Sequence, residues 1–311
     1  MKHLKIKTTL EGARVLVFGS SGQVGKSIKK VLSSWQNVTY CERNPTDPQT
    51  HVCDLTDHSQ IRDLIKKIQP QYLINCAAYT AVDKAESDQD ACFQINAAAP
   101  EVMAKMMAET NGFFIHYSTD YVFDGSGYQP HQETDPTNPI NLYGRSKLAG
   151  DLAALKYCPN SYIFRTQWVY DRTGKNFVNT MLRLGAEKDE LSIVDDQFGA
   201  PTSSDLIAKF TLLAIEQMHA GNFPAGIYNL AAGGETTWKR FAEKIFAIAR
   251  SQGINLKVKT VKPVPTEAFP TPAKRPSNSR LSLKKLELAL GVRIPDWDDE
   301  LLRIMTGRSA L

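Results

Sequence analysis

Short apolar runs alternate with longer amphipathic stretches through the first half of the chain. Ala13–Phe18 is an apolar run stopped by Gly19, a pattern that predicts a buried parallel strand feeding a tight turn. A helix is expected over Gln23–Ser34, followed by short strand-like runs at Val38–Cys41 and His51–Cys53. Next come an amphipathic helix over Ser59–Lys67 and a strand over Gln71–Ala77. Glu86–Thr110 reads as helical with a break at Pro100, and Gly112–Tyr117 as a strand ending in Ser118, Thr119 and Asp120. Strands alternating with helices in this order predict an α/β fold, a Rossmann-like doubly wound parallel sheet covered on both faces. The segment 125–141, rich in Pro, Gly, Asn and Asp, reads as a long functional loop, after which Tyr143 opens a helix and Tyr162–Tyr170 forms a strand. Beyond it the rhythm breaks into proline-punctuated pieces such as 263–276. The expected division is therefore a Rossmann domain over residues 12–172, to which some later segments return, and a smaller α/β substrate-binding domain made mainly from residues 173–311.

Charge and composition narrow the partners. The 37 basic and 33 acidic residues are interspersed, with no basic block of the kind that grips nucleic acid or a membrane surface, and the net charge of +4 suits a small anionic ligand. The five cysteines show no C-x-x-C spacing, so reduced thiols are expected and neither zinc nor a disulfide framework. Residues 1–11 contain no apolar run of signal-peptide length, and nothing approaches the ~20 apolar residues of a membrane span. A cytoplasmic location is expected.

Three constellations carry chemistry. Gly19-Ser-Ser-Gly22-Gln23-Val24-Gly25 lies between a strand and a helix, where glycines let the backbone approach a pyrophosphate resting on the helix N-terminus. Glu42, about 20 residues on at the end of the second strand, suits the adenine ribose hydroxyls, whereas Arg43 beside it suits a 2′-phosphate, so the pair points to NADH and to NADPH alike. Asp54 after the third strand fits either an adenine amino group or a helix N-cap. The second constellation is Tyr143-Gly-Arg-Ser-Lys147, in which residues four apart on a helix bring a phenol and an ammonium to one face for proton transfer. The third is Ser118-Thr119-Asp120 at a strand's carboxyl end, where open α/β sheets bind ligands and a hydroxyl can polarise a carbonyl.

With these residues in order, the chain resembles the extended short-chain dehydrogenase/reductase superfamily and, within it, the dTDP-4-dehydrorhamnose reductase family. The stretches that carry the closer resemblance include residues 75–86, 116–123, 141–150, 164–170, 194–202 and 275–281. The resemblance implies Thr119, Tyr143 and Lys147 as the catalytic set, with Tyr143 and Lys147 also on the cofactor. It places Leu55 with Asp54, and Ala78, Tyr79 and Thr80 along the nicotinamide side. It sets Val82, Thr119, Asp120 and Trp168 against the dTDP-sugar, although a strand tryptophan is more often core. The implied reaction is NAD(P)H-dependent reduction of the C4 ketone of dTDP-4-dehydro-6-deoxy-L-mannose. Gln167 stands where the resemblance calls for serine. Ser27 stands where the family's metal-bridged dimers have glutamate, which argues against magnesium; no metal is expected, and the chain is expected to be a monomer or a homodimer. The rivals are another nucleotide-sugar 4-ketoreductase or epimerase, a 4,6-dehydratase, which resembles Thr-Asp-Glu where this chain has Tyr121, and a non-catalytic regulatory subunit built on the same fold.

Overall fold

The computed structural model describes residue 10 and residues 12–307. Its centre is a seven-stranded sheet in which every pairing is parallel. In chain order the strands are β1 (Val15–Phe18), β2 (Val38–Glu42), β3 (His51–Val52), β4 (Tyr72–Asn75), β5 (Phe113–Thr119), β6 (Ser161–Thr166) and, much later, a strand at Gly226–Asn229. Between β6 and that strand lie β7 (Val169–Tyr170), β8 (Glu190–Val194), β9 (Phe198–Gly199) and β10 (Thr202–Ser203), which makes Gly226–Asn229 β11. The chain closes with β12 (Thr236–Thr237) and β13 (Thr260–Val264). The central order is β11-β6-β5-β4-β1-β2-β3, so the winding reverses between β1 and β4. Ligands of such sheets bind in the crevice at that reversal, outside the carboxyl ends of the strands.

β1 and β4 are buried along their whole length. This is the burial that a strand covered on both faces requires, and it explains their unbroken apolar sequence. One face is covered by the helices Gln23–Val31 and Ser204–His219, the other by His58–Ile68, Ala99–Glu109 and Leu142–Tyr157. A third core lies between β8 and the helices Phe177–Glu187, Trp238–Ser251 and Trp297–Thr306, with β13 pairing parallel to β8. Trp297 packs against both this core and that of the first sheet face. All five cysteines are free, and four are buried. Among the described residues no helix is long and apolar enough to cross a membrane.

Three local expectations need correction. The strand foreseen over Tyr162–Tyr170 is two strands, because Trp168 turns into the left-handed region at φ 45° and breaks the ladder between β6 and β7. Pro100 does not break the helix. The irregularity lies just before it, at Gln94–Ala98, where a π-type turn widens the coil. That widening fits the missing N–H of proline and the room its ring needs against the preceding turn. The cap of the helix at 58–68 is Asp57, whose carboxylate accepts from the backbone of Ser59 and Gln60, and not Asp54.

Candidate functional site

The parallel sheet brings the ends of β1, β4, β5 and β6 to one edge, and a cavity of about 650 Å³ opens there. Gly19 has φ +77°, and a Cβ on it would lie 2.7 Å from the backbone of Ala77, so only glycine lets the first turn meet the end of β4. A Cβ on Gly25 would fall 2.1 Å from the Gly19 carbonyl, which locks the helix onto its own turn. Gly19, Gly22, Gln23 and Val24 line the cavity, while Gly25 packs beneath it. The helix N-terminus is capped by Gly22 without a side-chain bond, leaving backbone N–H groups for an anion. This cradle, shaped by Gly19 and Gly25 where any side chain would intrude, fits a dinucleotide pyrophosphate.

Along the adenine side the structure sorts the expected residues. Glu42 accepts a hydrogen bond from Ser20 Oγ at 3.2 Å, which ties the end of β2 to the glycine turn. Arg43 is exposed. The Asp54 carboxylate accepts from the backbone and hydroxyl of Thr56, both at 2.9 Å, and Leu55 is buried in the core of that sheet face. None of Glu42, Arg43, Asp54 and Leu55 lines the cavity itself.

On the other side Ala78, Thr80 and Val82 line the cavity, whereas the Tyr79 phenol turns away to donate to Asp88 at 3.0 Å. Asn96, on the widened turn, holds this segment in place. Its Oδ1 accepts from the Tyr79 N–H at 2.8 Å, and its Nδ2 donates to the Tyr79 carbonyl and to Ser146 Oγ, each at 3.0 Å. The helix Leu142–Tyr157 begins on a double cap: Asn141 Oδ1 accepts from Gly144 N–H at 2.8 Å, and Glu86 Oε1 from Leu142 N–H at 2.7 Å. Gly144 lets this helix press against the short turn Asp120–Val122 that follows β5, since a Cβ there would lie 2.1 Å from the Tyr121 carbonyl.

Thr119, Asp120, Tyr143 and Lys147 meet on the cavity wall. Burial, then the Asp120 charge, hold the Tyr143 phenol above its ordinary range, with the Thr119 hydroxyl working the other way, so Tyr143 is a neutral proton donor. Burial pulls Lys147 down to about 8 against the pull of Asp151. Thr119 Oγ donates to Asp120 Oδ1 at 2.9 Å, while Asp120 Oδ2 is buried without a partner. Burial pushes Asp120 up to about 7. Tyr121 stands edge-on to the Tyr143 ring at 5.8 Å between centroids, an aromatic where elimination chemistry would want a carboxylate.

Trp168 is half-buried, lines the same cavity and stacks on Trp238 with ring centroids 3.7 Å apart. A bulky residue at positive φ is strained, and such strain clusters at ligand sites, so Trp168 is not ordinary strand packing. Gln167 is buried and accepts from the Ala200 N–H at 3.1 Å, fastening the 198–200 segment to the end of β6. Trp238 and Lys175 also line the cavity and were not foreseen. Trp238 opens an amphipathic helix, where a tryptophan reads as core, and Lys175 sits in a loop with no pattern to mark it. Ser27 is buried, shares a hydrogen bond with Ser204 Oγ at 2.9 Å and donates to Asp205 at 3.0 Å, so its hydroxyl clasps two helices of this chain. Among the described residues no group of three or more His, Cys, Asp or Glu is placed to hold a metal.

The family model described as RmlD substrate binding domain matches residues 13–309. A dTDP-4-dehydrorhamnose reductase of Shigella flexneri is 44% identical over 293 residues, covering 94% of this chain and 96% of that protein. The crystal structure of a dTDP-4-dehydrorhamnose reductase from Clostridium acetobutylicum superimposes with a TM-score of 0.85 at 36% identity, over 94% of this chain and 98% of that one. Another, from Bacillus anthracis in complex with NADP, gives a TM-score of 0.84 at 33% identity, over 95% of this chain and 99% of that one.

Proposed function

Since the chain belongs to the RmlD substrate binding domain family, we propose that it is an NAD(P)H-dependent dTDP-4-dehydrorhamnose reductase, converting the C4 ketone of dTDP-4-dehydro-6-deoxy-L-mannose to the alcohol of dTDP-L-rhamnose. The observation that carries this reading is the meeting of Thr119, Asp120, Tyr143 and Lys147 in one cavity that the glycine turn and Trp168 also line. A reaction between soluble metabolites suits the cytoplasm.

Gly19, Gly22, Gln23 and Val24 would hold the cofactor pyrophosphate, Glu42 the adenine ribose, and Ala78 and Thr80 the nicotinamide side. When bound, the nicotinamide supplies the hydride for the sugar C4. Tyr143, a buried neutral phenol, gives its proton to the carbonyl oxygen as that oxygen becomes an alkoxide. Thr119 lies beside Tyr143 and can offer its hydroxyl to the same oxygen once it releases Asp120. Lys147 lies one turn along the helix, where an ammonium favours the phenolate left behind until solvent restores its proton. Val82, Asp120 and Trp168 would bound the sugar, with the Trp168 ring giving it an apolar face. A 4,6-dehydratase is disfavoured by Tyr121, and a purely regulatory role by the intact set of Thr119, Tyr143 and Lys147.

The test is loss of nicotinamide absorbance when the protein meets the 4-keto sugar nucleotide, with NADPH and NADH assayed separately and dTDP-L-rhamnose identified as product. Tyr143→Phe is expected to lower kcat by at least ~100-fold with cofactor affinity retained, the scale of a lost general acid. Turnover close to wild type in that variant would remove Tyr143 from the mechanism.

A further inference from the structure

Three buried polar side chains run in a row that starts at the cavity wall. Asn75 at the end of β4, His116 in β5 and Lys147 on the catalytic helix are each no more than 1% exposed. Lys147 Nζ lies 3.1 Å from His116 Nε2, and His116 Nδ1 lies 3.1 Å from Asn75 Nδ2. Both histidine and asparagine stand at strand positions where the surrounding pattern is apolar, and buried polar groups of this kind persist when every donor meets an acceptor.

The row has a direction. The Ala77 N–H donates to Asn75 Oδ1 at 3.1 Å, which leaves the Asn75 NH2 facing the imidazole. An amide NH2 can only donate, so His116 Nδ1 must accept, and a neutral imidazole that accepts at Nδ1 carries its proton at Nε2. That N–H points at Lys147 Nζ. An ammonium has no lone pair to receive it, whereas a neutral amine has one. Turning the Asn75 amide over would relieve the clash only by setting the Ala77 N–H against an NH2. We propose that His116, fixed in its Nε2–H tautomer by Asn75, is a positioning residue whose N–H disfavours the Lys147 ammonium in the cofactor-free enzyme and so lowers the pH at which the Tyr143–Lys147 pair takes up a proton. This rests on the reductase reading above.

The other groups around Lys147 leave room for this. Asp151, one turn further along the same helix, is the charge that favours the ammonium, but its Oδ2 already accepts from Ser118 at 2.7 Å and lies 3.6 Å from Arg165 Nε of β6. The Cys92 thiol from the helix Gln89–Phe93 is held above its ordinary value by burial, and Tyr143 is a protonated phenol, so neither presents an anion. Asp120 bears on Tyr143. His116 itself is pressed well below the ordinary imidazole value, by burial first and then by Lys147, which keeps it out of the doubly protonated form.

The experiment reads the tautomer directly. In protein labelled with 15N-histidine, two-bond 15N–1H spectra at neutral pH should show His116 with a bare Nδ1 and a protonated Nε2, the signal being assigned by its loss in His116→Gln. Asn75→Asp puts a carboxylate oxygen in place of the NH2 and should reverse the tautomer. His116→Gln adds no charge and can turn its carbonyl to an ammonium, so the basic limb of its kcat/KM profile should move up by about one pH unit. A wild-type His116 that carries its proton on Nδ1, or on both nitrogens, overturns the proposal, as does an unmoved basic limb in His116→Gln. The spectrum needs no turnover. A chain inactive on the 4-keto sugar would therefore remove the reductase reading while the tautomer is still read.

Discussion

Asp120 shows how one residue can be held against its own stability for the sake of a site. Its carboxyl is buried, Oδ2 has no partner, and its pKa is raised to about 7. A raised value on an acid means that the fold disfavours the ionised form. The penalty is therefore full above about pH 7 and fades as pH falls toward the unfolded carboxylate value near 4. Asp120→Asn is expected to raise the Tm at about pH 8–9, with the gain shrinking to nothing near pH 4, as followed by thermal melts across that range. A gain independent of pH would point to packing instead. Trp168 makes the same kind of bargain through its backbone, at φ 45°. Trp168→Ala is expected to raise KM for the sugar nucleotide roughly 10-fold while KM for NADPH stays put, the loss of one aromatic face. Both residues are visible in the sequence as motif members. Their strain is not, because exposure and φ are set by segments far away in the chain.

At the level of elements, the glycine turn, the Y-x-x-x-K helix and the end of β5 were legible because each is a local device with its own spacing. The irregular turn at Gln94–Ala98 was not. Its sequence, QINAA, is ordinary helix: Pro100 marks an irregularity nearby without giving its place or form, and Asn96 must reach Tyr79 and Ser146 while its carbonyl meets Gly150 of the helix Leu142–Tyr157. A Cβ on Gly150 would lie 2.1 Å from that carbonyl. Gly150→Ala is therefore expected to destabilise the protein by about 1–3 kcal/mol in urea unfolding and to lower kcat, since the shift is carried to the helix that holds Tyr143 and Lys147. A variant as stable as wild type would mean that the two helices part without cost. The split of β6 from β7 was missed for a related reason, as most residues from 162 to 170 favour a strand, Trp168 at the break included.

For the molecule as a whole, segments that follow residue 172 pack into the central sheet and its covering helices. β11 adds to β6 in the central sheet, Ser204–His219 packs on the helix after the glycine turn, and Ser27 joins them by hydrogen bonds. We therefore expect calorimetry to give one cooperative transition, with the van't Hoff and calorimetric enthalpies equal. Two resolved transitions would show that residues 173–311 melt on their own. The sheet order also bears on how the chain is made. On a ribosome β6 emerges well before β11, so the strand leading to Gln167 and Trp168 waits with one edge unpaired while the 170–225 segment is synthesised. An open strand edge invites pairing with another chain. The nascent protein is thus most exposed to aggregation, and most in need of a chaperone, in the interval before Gly226–Asn229 closes the sheet.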